Sequence, residues 1–284
     1  MLPIVGSLVV IASVLGGFVL SHGQLLALWQ PFELLIIGGA AFGGFLTSNP
    51  PKVVKAVGAN LVGVIKGPRY KRQDYVDILL LMYELMKLSQ RNGSMSLESH
   101  VEDPPKSAIF SKFPSLLSDH HLLEFITDCL RMIITADMNP QELEPLLELE
   151  METHHHEAEA PAHALSKMSD SLPGFGIVAA VLGIVITMGS IGGEISEVGA
   201  HVAAALVGTF LGILLAYGFI GPIAVAMELR AKEDSRAFEC VKAALVANLH
   251  GYSPMIAIEF ARKSLSINVR PSFGELEKHI KDAK

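Results

Sequence analysis

The sequence predicts an all-α membrane protein with four transmembrane helices and a large helical cytoplasmic domain. Half of the 284 residues are apolar, yet 18% are charged. All 22 Lys and Arg residues fall in residues 52–172 and 230–284, and none lies in 1–51 or 173–229. Long apolar stretches without cations are typical of membrane spans. No stretch shows the alternating apolar and polar pattern of a β-strand.

The four predicted spans cover residues 2–20, 32–47, 173–191 and 202–227. Each approaches the roughly 20 residues that a helix needs to cross hydrocarbon, and a helix is required because lipid cannot satisfy backbone polar groups. The N-terminal apolar run lacks the basic start and the small-residue cleavage site of a secretory signal, so we expect it to remain as the first span.

The loops between the spans predict the orientation of the chain. Residues 21–31 contain no Lys or Arg, and residues 192–201 contain none either but include Glu194 and Glu197. By the positive-inside rule both loops face outward, and both termini face the cytoplasm. The predicted organisation is a hairpin of spans in 1–50, a cytoplasmic helical domain in 51–169, a second hairpin in 170–228 and a cytoplasmic tail in 229–284.

Several helices are predicted in the charged blocks. Residues 52–66 alternate apolar and basic residues at helical spacing, which fits either an amphipathic helix on the inner leaflet or a soluble helix. Residues 74–88, 119–137 and 139–169 also read as helical. Pro173 is expected to open the third span, capped by Asp170 or Ser171, because proline suits the first helical position.

Small residues recur in the third and fourth spans and predict close packing between helices. Gly208 and Gly212 lie four residues apart in the fourth span, and Gly176 and Gly183 lie seven apart in the third. Such spacing lets helix backbones approach closely in lipid.

The third and fourth spans contain no Asp, Glu, Lys, Arg or His. Proton transport through a membrane needs an ionisable group at depth. We therefore expect a carboxylate-free sleeve that either transports nothing or takes its carboxylate from a partner chain. The polar side chains at depth are Thr187 and Thr209, with Tyr217 nearer the inner side; each threonine either bonds its own helix or turns toward a pore.

Pro222 lies late in the fourth span with apolar residues after it. It removes the hydrogen bond to the Gly218 carbonyl and is expected to loosen that turn, as a hinge or as a passive kink.

Other functional classes are disfavoured by composition and motifs. The net charge of −7 comes without a basic stripe, which argues against nucleic-acid binding. The two cysteines fit reduced cytosolic thiols rather than a disulfide or a metal site. The run His154-His155-His156 has acidic neighbours, but consecutive helical residues point about 100° apart, so a solvated helix is favoured over a metal site. No phosphate loop or nucleophile motif indicates an enzyme, and no cofactor is expected.

Four blocks of the sequence resemble the MotA family of proton-driven flagellar stator subunits. They are residues 170–183, residues 207–218 with Pro222, the tail at 248–263 and 270–273, and the cytoplasmic run from Ser96 to Phe110. The resemblance covers essentially the whole chain. It implies a homopentamer around a dimer of MotB, whose membrane aspartate accepts protons, the coupling ion. It also implies that proton flow rotates the pentamer and that the cytoplasmic domain pushes the rotor protein FliG.

The resemblance also implies roles for individual residues. Pro173 and Pro222 match two functional prolines near the cytoplasmic exit of the channel, and Thr209 matches a threonine facing the pore. Ala180 stands where sodium-driven relatives have threonine, so it fits a proton-type unit. Tyr217 joins this proton pathway.

Glu98 and Arg91 lie in the segment of rotor-contacting charges, although many relatives carry their basic residue at the position of Gln90. One alternative is an energiser of outer-membrane processes of the ExbB/TolQ type, which has three spans. The other is a non-conducting membrane scaffold, whose function is independent of proton-motive force.

Overall fold

The computed structural model describes residues 2–136, 140–189, Gly192 and 195–282. These residues form helices and turns without any β-strand, which confirms the all-α fold. Glu194 of the predicted outer loop lies outside the described residues. The α-helices of the described residues are α1 (Leu2–Leu20), α2 (Pro31–Ser48), α3 (Pro51–Lys66), α4 (Arg72–Asn92), α5 (Glu98–Glu102), α6 (Pro114–Leu117), α7 (His120–Ala136), α8 (Pro140–Gly189), α9 (Ile195–Leu215), α10 (Gly221–Leu249), α11 (Pro254–Ser264) and α12 (Phe273–Asp282).

Four helical segments of the described residues are long and apolar enough to cross a membrane. They are Leu2–Leu20, Leu25–Ser48, Pro140–Gly189 and Ser196–Leu249. Their number and order confirm the four predicted spans. The last two are far longer than a bilayer requires, because each continues as a charged helix beyond its apolar part.

The prediction that Pro173 opens a helix was wrong, because α8 continues through it from Pro140 to Gly189. A proline inside a helix removes one backbone hydrogen bond, here the bond to the carbonyl of Ser169, without necessarily ending the helix. Packing offsets the loss, since the side chains of Ser169 and Leu172 are only 3% and 2% exposed. Asp170 and Ser171 are therefore helical residues and not caps.

The chain divides into two compact units. The first comprises Met1–Gly67 and Glu157–Ala231, and the second comprises Pro68–His156 and Lys232–Lys284. Helices α8 and α10 contribute residues to both units.

The first unit has two apolar clusters. In one, Ile37 and Ala41 of α2 pack with Leu172 and Ala179 of α8 and with Ala216. In the other, α3 turns its valine-rich face toward α2, α8 and α10, with Val57 buried at 6% exposure. The residues at 52–66 thus form the predicted helix, and its apolar side packs mainly on protein. In contrast, α1 buries none of its residues.

The second unit is organised around α4. Its side chains Ile78, Leu79, Leu81, Met82 and Leu85 are fully buried. They belong to an apolar cluster with residues of α7, α10, α11 and α12. Burial of each such side chain is worth about 1.5–3 kcal/mol, so α4 contributes strongly to the hydrophobic stability of this unit.

Candidate functional site

The glycines of α8 and α9 form a close helix crossing in the first unit. A Cβ atom added at Gly212 would lie 2.7 Å from the carbonyl oxygen of Leu172 and 3.0 Å from the Cα atom of Gly176. A Cβ atom added at Gly176 would lie 3.1 Å from the carbonyl oxygen of Gly208. Because these neighbours are backbone atoms of another helix, they cannot move aside as a flexible side chain can. The crossing therefore requires glycine.

Two further glycine contacts extend the crossing along the same helices. A Cβ atom added at Gly183 would lie 2.9 Å from the Cβ atom of Ala205. One added at Gly208 would lie 3.3 Å from the Cβ atom of Ala179 and 3.7 Å from the backbone nitrogen of Ala180. The structure thus brings Ala180 beside Gly208, whose chain neighbour is Thr209.

The two threonines of these helices differ in their hydrogen bonding. Thr187 is buried and donates its hydroxyl to the Gly183 carbonyl at 2.8 Å, so it bonds its own helix. Thr209 is half-buried, and its hydroxyl makes no hydrogen bond to the described residues. It lines an apolar groove on α9 with Leu206, Phe210 and Ile213. Its hydroxyl remains available to water or to a partner.

The turn before Pro222 is loosened, as its missing N–H predicts. Residues Ala216–Ile220 form a π-helix between α9 and α10. The N–H of Gly221 donates to the carbonyl of Ala216, five residues earlier. Tyr217 lies in this turn with 67% of its surface exposed, and Pro222 is exposed as well. Single π turns of this kind recur at functional sites.

Ser169 links the two proline sites. Its hydroxyl donates to the carbonyl of Ala216 at 2.9 Å. Ser169 is also the residue whose carbonyl loses its helical partner at Pro173, and Ala216 accepts the π-turn bond that precedes Pro222. Because Ser169 was predicted as the last residue of a helix that ends before the third span, sequence reasoning missed this connection.

Helix α2 contributes a carboxylate that the sleeve expected from the third and fourth spans did not include. Glu33 lies in the first turn of α2, and its Cγ atom would be 3.4 Å from a Cβ atom added at Gly208. Its side-chain oxygen Oε2 is shielded from solvent. The signal available in the sequence was an acidic residue at the start of the apolar run of the second span.

Arg91 and Glu98 lie apart from these residues, in the second unit. Arg91 is near the end of α4, which stops at Gly93, where φ is +83°, and Glu98 begins α5. Both side chains are exposed and form no ion pair with the described residues. Arg91 lines a groove together with Lys87 and Lys112.

The histidine run has a packing role in the second unit. The ring of His154 lies 4.2 Å, centroid to centroid, from the ring of Phe238. His156 lies 3.8 Å from Glu152 on the same helix. No group of three metal-ligating side chains exists among the described residues.

The sequence of the chain matches two protein-family models. The model described as "Motility protein A N-terminal" matches residues 4–93, and that of the "MotA/TolQ/ExbB proton channel family" matches residues 118–240. The chain is 47% identical to motility protein A of Salmonella typhimurium, over 99% of this chain and 95% of that protein. It is 42% identical to the chemotaxis protein LafT of Vibrio parahaemolyticus, over 97% and 96% respectively.

Solved structures show the same fold. The chain matches C. jejuni MotAB with a TM-score of 0.75 at 20% sequence identity, covering 95% of this chain and 98% of that one. It matches the flagellar MotAB stator complex from Bacillus subtilis with a TM-score of 0.70 at 21% identity, covering 99% and 98%.

Proposed function

This chain belongs to the motility protein A family, and we propose that it is a stator subunit of a bacterial flagellar motor. Together with MotB it would form a proton-conducting complex that converts proton-motive force into torque on the rotor protein FliG. The observation that carries the mechanism is the hydrogen bond from Ser169 to Ala216, which joins the helix turn weakened by Pro173 to the π turn before Pro222. In the proposed mechanism, a conformational change at one turn is transmitted to the other through this bond.

We further propose the assembly and its place in the cell. Five copies surround a MotB dimer in the inner membrane, with both termini in the cytoplasm. The lack of Lys and Arg in 1–51 and 173–229 supports this orientation. The unburied surface of α1 and the groove beside Thr209 are available for contacts with lipid, neighbouring copies or MotB.

Protons are the proposed coupling ion, and no other cofactor is required. One elementary charge moving through 100 mV releases about 2.3 kcal/mol. Protonation of the MotB aspartate neutralises it in hydrocarbon, and deprotonation restores its charge, so each event changes the pentamer face that the MotB helix prefers. Pro173, Ala180, Thr209, Tyr217 and Pro222 line this route, and the alanine offers no oxygen to a sodium ion.

Rotor contact is assigned to Arg91 and Glu98. Their exposure and lack of ion-pair partners among the described residues leave both charges free to pair with FliG. Opposite charges at an interface favour rapid and specific association.

An energiser of the ExbB/TolQ type is the second candidate, since the matched channel family includes those proteins. The match of residues 4–93 to the motility protein A N-terminal model favours the flagellar function. The scaffold alternative predicts motility that is independent of proton-motive force.

The decisive experiment is complementation of a bacterium that lacks its own stator. The chain co-expressed with MotB is expected to restore swimming, and an uncoupler is expected to stop it. Pro222→Ala, which restores a backbone donor at the π turn, should lower torque in tethered cells. Pro51→Ala, at the exposed first position of α3, is the matched control and should leave torque unchanged. Normal torque in Pro222→Ala at normal expression would refute the hinge mechanism.

A further inference from the structure

Glu33 is a half-buried acidic side chain in the first turn of α2. It is the one ionisable residue of α2, whose sequence is otherwise apolar or hydroxyl-bearing. Its side chain packs against α9, where the Cγ atom lies close to Gly208, the residue before Thr209. Oxygen Oε2 is shielded from solvent, and no group of the described residues donates a hydrogen bond to it.

The shielding of Oε2 removes part of the hydration of an ionised carboxylate. A buried charge without a hydrogen-bond donor or a counter-ion loses its hydration without compensation. Charged groups within membrane spans are for this reason rare and mark ion pathways. A proton bound to Oε2 removes the charge of the carboxylate. Oε2 then no longer needs a hydrogen-bond donor from the protein.

The surroundings leave few other groups to interact with Glu33. Helix α8 has no ionisable side chain from Pro173 to Gly189, and α1 has none in Leu2–Leu20. Helix α9 contributes Glu197 and His201. His201 precedes Gly208 by seven residues, and that spacing places both on the same side of α9, two turns apart. His22, after α1, is exposed.

We propose that Glu33 is a proton-binding site of this chain, which passes protons to the pathway beside Thr209. Its carboxylate accepts a proton from hydronium and releases water, forming the neutral carboxylic acid. The acid then gives this proton to the ionised aspartate of MotB, directly or through water, and returns to the carboxylate. Electrons are not exchanged, and one proton enters for each proton that leaves. This inference rests on the proposed function.

A purely electrostatic role is the competing explanation. An acidic residue in the first turn of a helix interacts favourably with the helix dipole. Glu197 is in the equivalent first turn of α9 and is exposed, so it offers a matched control for that effect.

The test measures proton flux through a complex of the chain and MotB reconstituted in liposomes. The MotB segment that plugs the channel is deleted for this measurement. Glu33→Gln keeps the size of the side chain but cannot bind and release a proton. We expect it to lower the flux by about a hundredfold, the low end of what a positioned acid–base group contributes, at unchanged levels of complex. Glu197→Gln should conduct like the wild type. Equal flux in Glu33→Gln and wild type, or an equal loss in both variants, overturns the proposal. An absence of flux in the wild type instead refutes the proposed function itself.

A second measurement does not depend on transport. Infrared difference spectra of the wild-type complex, recorded between two pH values, should contain the C=O stretching band of a protonated carboxyl group. Glu33→Gln should remove this band. If the glutamine variant does not accumulate, Glu33→Asp replaces it in the experiment and should shift the band. A band that none of these substitutions alters shows that Glu33 does not bind the proton, and the proposal fails.

Discussion

The hydroxyl of Ser169 donates a hydrogen bond to the carbonyl oxygen of Ala216 at 2.9 Å, joining α8 to the π turn between α9 and α10. Both residues are buried, at 3% and 0% exposure. The same carbonyl accepts the N–H of Gly221. A Cβ atom at Gly221 would lie 2.9 Å from that oxygen and 3.2 Å from the Ser169 hydroxyl, so glycine makes the arrangement possible.

Ser169→Ala should remove the hydrogen bond that links the helix turn at Pro173 to the π turn before Pro222. It removes one buried hydrogen bond, worth about 1 kcal/mol, while the Ala216 carbonyl keeps its bond to Gly221. We expect the thermal unfolding temperature to fall only slightly. The torque should fall clearly below that of the wild type. Ser171→Ala is the matched control, because Ser171 donates only within its own helix, to Met168 at 2.7 Å. Equal torque in the two variants would contradict the link.

Gly212→Ala should disturb the crossing of α8 and α9. The added methyl group would lie 2.7 Å from the carbonyl oxygen of Leu172, so the helices must separate, which costs about 1–3 kcal/mol. Lower thermal stability in detergent and less complex with MotB are expected. Gly174→Ala is the control, because a Cβ atom there meets nothing within 4 Å. If both variants are equally stable, the crossing does not require glycine at position 212.

The ion pair between Glu259 and Arg262 should make the second unit sensitive to acid. Hydrogen bonds from Arg262 lower the pKa of Glu259 below its usual 4.5. Arg262 is only 7% exposed and also donates to the Pro271 carbonyl at 2.8 Å. Since the folded pKa is the lower one, the stabilisation is complete above pH 4.5 and is lost as pH falls through the folded value.

The substitution Glu259→Gln tests this predicted loss of stability in acid. We expect it to cost about 1 kcal/mol at pH 7, the modest end for a charged hydrogen bond because the Glu259 side chain keeps 30% exposure. The difference from wild type in urea unfolding should shrink steadily below pH 4.5. Glu277→Gln breaks an exposed pair with Lys281 and should change little. A difference that grows in acid would contradict the assigned pKa direction.

The two cysteines should be unreactive in the folded protein. Cys129 and Cys240 are fully buried, and burial raises the pKa of both thiols, which keeps them protonated at neutral pH. A maleimide should label neither thiol in native protein and both after unfolding. Ser99→Cys, at an exposed position of α5, should react at once and verify the reagent. Rapid labelling of the wild type would show that the second unit opens under native conditions.

Local sequence was sufficient for the helical class and the four spans, because apolar length and the distribution of Lys and Arg are properties of consecutive residues. It also located the loosened turn before Pro222, since the missing N–H of proline acts within one turn. The same local reasoning failed at Pro173. There, the burial of Ser169 and Leu172 keeps the helix continuous, and that burial comes from other segments of the chain.

The sequence by itself therefore determined which segments are apolar helices and where small residues permit close packing. Only the tertiary structure decided that Ser169 reaches Ala216 and that Glu33 turns toward Gly208. Both contacts join residues that are far apart in the chain, and helical periodicity fixes only the face of a helix on which a side chain lies. Which helix covers that face depends on the packing of the whole unit, and this packing determines whether a hydroxyl finds an acceptor or a carboxylate loses its water.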